Sequence, residues 1–198
     1  MVDCQTALIQ SFQVAYLTAK GLANYVKGDA KPFHDSVQLM QEIRKQISEN
    51  RIHSFVETGT FRGDSVGWVA RHFPNLKCYS CDINPLYFLL ARLRFWRLNN
   101  LVLFNKKSVD YLREILPHAE PPILFWLDAH WLHDLPLNDE VATILSFCKR
   151  PIIFIDDWKG NAFAQTVIDR LALPVLLSDP SLEVKENESE HYCIIQRR

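Results

Sequence analysis

From residue 51 onward the chain alternates short apolar runs with segments whose apolar residues recur at helical spacing. The runs Ile52–Glu57, Lys77–Asp82, Leu101–Asn105, Pro122–Asp128 and Pro151–Asp156 have strand length and predict five strands. Between them the spacing predicts helices over Asp64–His72, from Pro85 to about Leu98, from a Ser108 cap to Leu116, and from Asn138 or Asp139 to about Cys148. Another is predicted over Asn161–Leu171. Pro85 suits a first helical position, where its missing N–H costs nothing. The tail differs: Val175–Leu177, Ser181–Lys185 and His191–Gln196 are strand-like with little between them. Residues 1–50 read as an N-terminal helical extension, broken into two helices by Gly28-Asp-Ala-Lys-Pro32. In its second helix Leu39, Met40, Ile43 and Ile47 form one apolar stripe behind Asp35 or Ser36 as N-cap. The extension is free to cover the sheet, to form a lid or to mediate dimerisation. Residues 51–198 are expected to form an α/β domain, a doubly wound Rossmann-like sheet edged by a C-terminal antiparallel pair.

Composition narrows the picture. A chain of 198 residues suits one domain, and 48% hydrophobic with 23% charged residues is ordinary for a soluble globular protein. A net charge of -1 supplies no global field toward nucleic acid or an anionic membrane, so neither is expected as a partner. Asp3 stands where a signal peptide would be basic, and no apolar run approaches the ~20 residues of a membrane span. A cytoplasmic protein is expected. Of five cysteines, Cys78 and Cys81 have CxxC spacing, but strand positions three apart face opposite ways, so small buried hydrophobes are expected there. The helix after Pro85 carries Tyr87, Phe88, Leu89, Leu90, Leu93, Phe95 and Trp96 on several faces. Two-sided burial within the chain and a homo-oligomer contact both suit it.

The chemistry lies at the strand ends. Four of the runs end on carboxylates: Glu57, Asp82, Asp128 and the pair Asp156-Asp157. In an open parallel sheet those ends form the ligand crevice, so the ligand should be cationic, rich in hydroxyls, or a metal. Glu57-Thr-Gly-Thr-Phe-Arg-Gly63 joins a strand to a helix, and its glycines allow close backbone approach. A dinucleotide site would leave that helix N-terminus open to a pyrophosphate, which Glu57 would repel. Asp82 follows 82 − 57 = 25 residues later, close to the ~20 typical of an acid that binds ribose hydroxyls. The pair suggests a positively charged, phosphate-free nucleoside.

These residues resemble the E/D-x-G-x-x-x-G motif and ribose acid of class I S-adenosylmethionine-dependent methyltransferases. The resemblance covers roughly residues 50 to 196 and implies a seven-stranded sheet ending in an antiparallel hairpin. It implies that S-adenosylmethionine meets Glu57, Thr58, Gly59, Thr60, Gly63 and Asp82, with Ser108 and Asp128 beside it. One departure is clear. Where the family often has an acid facing the adenine amino group, this chain reads Asn105-Lys-Lys-Ser108, and lysine accepts no hydrogen bond.

Asp128, Asp156 and Asp157 further resemble the metal site of catechol-type and, more closely, macrolide and aminocoumarin sugar O-methyltransferases. The resemblance implies these three as ligands of Mg²⁺, the ion that all-oxygen ligation favours. The sugar enzymes place a general base two residues after the first acid, a position held here by His130. Histidine can serve as that base or as a ligand to a softer metal. The leading expectation is metal-assisted O-methylation of a small hydroxylated acceptor. Two others stand beside it: a metal-dependent hydrolase using the Asp/His cluster, and a non-catalytic nucleoside-binding module of the same fold. Trp131 and Trp158 are candidate walls of the acceptor pocket, and Arg92, Arg94 and Arg97 an exposed helix edge.

Overall fold

The computed structural model describes residues 31–129, 136–158, 179–189 and 191–197. The predicted helix Asn161–Leu171, the run Val175–Leu177 and the first thirty residues lie outside the described residues. The strands are β1 (Ser54–Thr58), β2 (Lys77–Cys81), β3 (Leu101–Phe104), β4 (Ile123–Leu127), β5 (Ile152–Ile155), β6 (Leu182–Asn187) and β7 (Tyr192–Arg197). They form one seven-stranded sheet in the order β3-β2-β1-β4-β5-β7-β6. Strands β1 to β5 run parallel, and β7 pairs antiparallel with both β5 and β6. The chain starts at the centre with β1, moves outward through β2 and β3, then returns to the other side of β1 as β4. That reversal puts the topological switch point between β1 and β4, where such sheets bind ligands.

Five helices are described: α1 (Val37–Glu49), α2 (Asp64–His72), α3 (Pro85–Arg94), α4 (Ser108–Ile115) and α5 (Leu137–Phe147). The sheet is covered on both faces, which is why β1, β4 and β5 are apolar nearly throughout. Side chains alternate between two cores. Phe55, Leu124, Trp126 and Phe154 meet α1 and α2 through Leu39, Ile43, Ile47, Val66 and Val69. Val56, Phe125, Leu127 and Ile153 meet α4 and α5 through Leu112, Ile115, Val141 and Ile144. Cys78 falls in the first core and Cys81 in the second, both as free thiols, as strand alternation requires.

The local signals mostly hold, with instructive exceptions. Ser36 caps α1 by accepting from the Leu39 N–H at 3.0 Å. Asn84 caps α3 in the same way, ahead of Pro85. Ser108 is the first residue of α4 rather than its cap, a position taken by Lys107 with no side-chain hydrogen bond. Helix α3 ends at Arg94, short of Leu98, because Phe95 turns inward. Its ring lies across Gly63 and Gly67, where an added Cβ would come within 2.5 Å of it at both positions. Arg94 is not part of an exposed edge. Its side chain is 7% exposed and pairs with Asp64. Its guanidinium donates to the Arg62 carbonyl at 2.8 Å and to Asp64 Oδ1 at 2.5 Å. Helix α3 is thus fastened to the turn that follows β1.

Gly67→Ala should destabilise the protein although alanine is the better helix former by roughly 1 kcal/mol. Phe95 is buried against both glycines, so an added methyl must displace its ring within a packed core, and overpacking of this kind costs about 1–3 kcal/mol. A lower midpoint in urea unfolding is the expected outcome.

Candidate active site at the strand tips

The register of the sheet builds the site. Thr58 is level with Cys81 on one side and Leu127 on the other, and Leu127 with Ile155. One residue further along, Gly59, Asp82, Asp128 and Asp156 therefore stand in a row across four strand ends. The ladder continues into this row: the Asp82 N–H donates to the Phe104 carbonyl, Asp128 to Thr58 and Asp156 to Leu127. Gly59 has φ 85°, and a Cβ there would lie 2.3 Å from the Asp128 carbonyl oxygen. Only glycine lets the two chains meet this closely at the switch point.

The β1 end holds Glu57, 2% exposed, on the face toward α2. Ser80 Oγ donates to its Oε2 at 2.5 Å, and Thr60 Oγ1 lies 2.6 Å from Ser80 Oγ. The Val66 N–H, in the first turn of α2, donates to the same carboxyl group. Burial outweighs these bonds and pushes the Glu57 pKa up to about 8. Glu57 is therefore mostly protonated at neutral pH, and a cation placed against it would draw the proton off. Asp82 organises the neighbouring loop: Oδ2 accepts from the Phe61 N–H at 2.7 Å and Oδ1 from the Asn84 N–H at 2.8 Å. Burial raises its pKa, against those two bonds. Each oxygen keeps a further lone pair for a ligand hydroxyl. Asn105 Nδ2 ties the β3 end to this loop by donating to the Asp82 and Ile83 carbonyls.

On the other side of β1, Asp128 and Asp156 converge. The Asp128 pKa is driven well above the usual carboxylate range by burial, then by the charges of Asp156, Glu57 and Asp157. Asp156 is 5% exposed, and its Oδ2 meets His34 Nε2 at 2.6 Å. That bond and the charges of Asp156, Asp157 and Asp35 raise the His34 pKa, while burial opposes them. His34, Asp128 and Asp156 each offer one donor atom, all within 4.8 Å of one another. The sequence reading placed Asp157 in this group and overlooked His34. Asp157 stays beside the group, with φ 53° and its N–H on Asp156 Oδ1, and its charge acts on both Asp128 and His34.

His34 arrives on a short strap. Phe33, His34 and Asp35 all have left-handed backbone, with φ of 51°, 57° and 63°. Each such residue costs on the order of 1 kcal/mol, so the surroundings must hold the strap in place. Phe33 is 1% exposed and meets Trp126 and Trp68 edge-on, with ring centroids 4.9 Å and 5.7 Å away. The Phe33 N–H donates to Ser65 Oγ at 3.0 Å.

The remaining sequence-derived candidates divide. Glu57, Gly59, Thr60 and Asp82 come together, with Gly63 (φ 70°) as the left-handed N-cap of α2. The Thr58 side chain is buried in β1, and its hydroxyl has no hydrogen-bond partner among the described residues. Ser108 is buried at the start of α4, and Lys106 pairs with Glu114. Trp158, 4% exposed, packs in the α4–α5 core. His130 and Trp131 lie outside the described residues.

The sheet order and its terminal antiparallel pair are those of the Rossmann-like fold of class I methyltransferases. No protein-family profile matches the chain, nor does any curated protein sequence. Solved structures do match. An O-methyltransferase from Bacillus cereus in complex with S-adenosylhomocysteine is 16% identical, with 100% of this chain and 93% of that one covered at a TM-score of 0.65. TomG from Streptomyces achromogenes, an O-methyltransferase involved in tomaymycin synthesis and solved with S-adenosylmethionine, is 14% identical, with 94% and 96% covered at 0.67. The S-adenosylhomocysteine-bound Podospora anserina methyltransferase PaMTH1 is 14% identical, with 100% and 98% covered at 0.66.

Between pH 4.5 and about 8, native Glu57 holds a proton that the unfolded chain has released. Stability should therefore fall as pH rises through that window and level off above it. Glu57→Gln removes the titration. Denaturant unfolding at pH 5 and pH 8.5 should show the variant gaining on wild type at the higher pH.

Proposed function

We propose that this protein is an S-adenosylmethionine-dependent O-methyltransferase, assisted by a divalent metal, that acts on a small hydroxylated acceptor. The observation that carries the reading is the division of the strand-tip row by Gly59. Asp82 lies on one side, with Glu57 on β1 tied toward it through Ser80, suited to a positively charged nucleoside; Asp128 and Asp156 lie on the other, suited to a cation. The presence of S-adenosylmethionine or its demethylated product in the Bacillus, Streptomyces and Podospora enzymes supports the choice of donor.

The donor side fits. Glu57, once deprotonated, can receive an ammonium or sulfonium charge, and Asp82 can accept from ribose hydroxyls without giving up its loop bonds. Gly59 keeps the first loop low, so that donor and acceptor sides communicate at the switch point. The metal side fits as well. Burial, and then the charges of Asp156, Glu57 and Asp157, raise the Asp128 pKa, and a cation beside it would relieve that repulsion. Asp128 and Asp156 would hold it, with Asp157 adjacent. When bound, such an ion makes an acceptor hydroxyl more acidic.

The chemistry proposed for the chain's own groups is positioning and proton removal. His130 is the proposed base that takes the hydroxyl proton. The acceptor oxygen then bonds to the methyl carbon as the S–CH₃ bond breaks, leaving a neutral thioether. Most of the acceleration would come from aligning oxygen, methyl and sulfur.

Calorimetry with S-adenosylhomocysteine tests the donor half. Binding at pH 7 should release close to one proton, read as a heat that varies with the buffer's ionisation enthalpy, and Glu57→Gln should abolish that release. Absence of binding by a folded sample rejects the reading in favour of a hydrolase. For the metal half, Asp128→Asn should lose metal-dependent methyl transfer to a diol or catechol while keeping donor affinity within a few-fold. Donor binding with no transfer and no response to metal in wild type would leave a nucleoside-binding module.

A further inference from the structure

We propose that His34 is the third protein ligand of the metal, and that the bound ion pins the Lys31–Ser36 strap against the strand tips. The inference rests on the metal-assisted reading above and adds to it a ligand from outside the sheet. Two carboxylates alone make a sparse site. The atom that completes the group comes from the strap: His34 Nε2, Asp128 and Asp156 each present a donor within 4.8 Å of the others. A shared ion at roughly 2.0–2.4 Å needs donors no further apart than about twice that distance. Asp156 lies at the back of the site with a side chain 3% exposed, whereas that of His34 is 68% exposed. The group is thus open on the histidine side, where acceptor oxygens can complete the coordination.

The strap is built to present this side chain. Phe33 is pegged between Trp68 and Trp126, and its N–H is held by Ser65. The left-handed turn sends consecutive residues opposite ways, Phe33 into the core and His34 to Asp156. A pegged phenylalanine fixes the imidazole's origin, so little freedom remains to be lost when an ion binds.

Ligand chemistry then sets the metal. Two carboxylates and one imidazole suit Mn²⁺, Fe²⁺, Co²⁺ or Zn²⁺ better than Mg²⁺, which prefers oxygen alone. The expectation of magnesium drawn from an all-aspartate site shifts accordingly.

The test uses the full chain loaded with Mn²⁺. Pulsed electron paramagnetic resonance should detect nitrogen-14 modulation from a directly bound imidazole. His34→Ala should abolish it and weaken Mn²⁺ by about tenfold or more, with Mg²⁺ affected less. Tryptophan fluorescence, which senses Phe33 through Trp68 and Trp126, should respond to Mn²⁺ in wild type and much less in the variant. His34→Asn serves as a second, gentler variant, and the wild-type spectrum reports on nitrogen ligation without any substitution. Manganese binding without nitrogen modulation overturns the inference. So does modulation that survives His34→Ala, since the nitrogen then belongs to another histidine, such as His130. In both cases the metal-assisted reading stands. A wild-type protein that binds neither Mn²⁺ nor Mg²⁺ at millimolar concentration removes that reading and the inference together.

Discussion

Carboxylates brought out of water side by side repel one another, and the strand-tip row of this protein is organised around that repulsion. Glu57, Asp82, Asp128 and Asp156 stand at or just past the ends of parallel strands of one sheet, and Glu57, Asp82 and Asp156 are buried. The protein answers differently at each. Glu57 is met by Ser80, the first turn of α2 and a retained proton. Asp82 spends its charge on two backbone N–H groups that shape the adjoining loop. Asp156 takes the imidazole of His34. The pKa of Asp128, at the switch point, is pushed up by burial first and by the charges of its neighbours second, against a side-chain hydrogen bond from Trp126.

The sheet is what makes the crowding tolerable. Asp82, Asp128 and Asp156 each stand one step past a strand whose ladder extends to their N–H groups, so the backbone is fixed before the side chains meet their neighbours. Gly59 keeps a side chain out of the closest approach between the β1 and β4 ends. The same geometry lets a charged small molecule on one side and a cation on the other lie close together, which is what a direct transfer between two bound partners demands.

Much of this was legible in the sequence because strands and their ends are local. An apolar run closed by an acid, repeated at four strand ends and interleaved with helical spacing, already gives the sheet and its crevice. The glycine turn and the 25-residue interval from Glu57 to Asp82 place the first pair. What escaped is non-local. His34 lies 122 residues from Asp156 along the chain, in a segment with no periodicity, and their contact depends on a turn that no propensity predicts. Asp157 is chemically identical to Asp156, and its left-handed backbone is not legible in a run of two aspartates. Arg94 differs from its expected place on an exposed helix edge for a related reason: its partner Asp64 lies 30 residues away along the chain and draws it inward.

The ring of Phe95 bears on two glycines at once, one ending the turn after β1 and the other inside α2. None of the three positions can drift alone. A methyl at 63 or 67 demands a smaller group at 95, and a smaller group at 95 leaves a void that only larger neighbours refill. Residues 63, 67 and 95 therefore form a single unit of inheritance. In any set of relatives that keeps this arrangement, they should be found changing together or not at all.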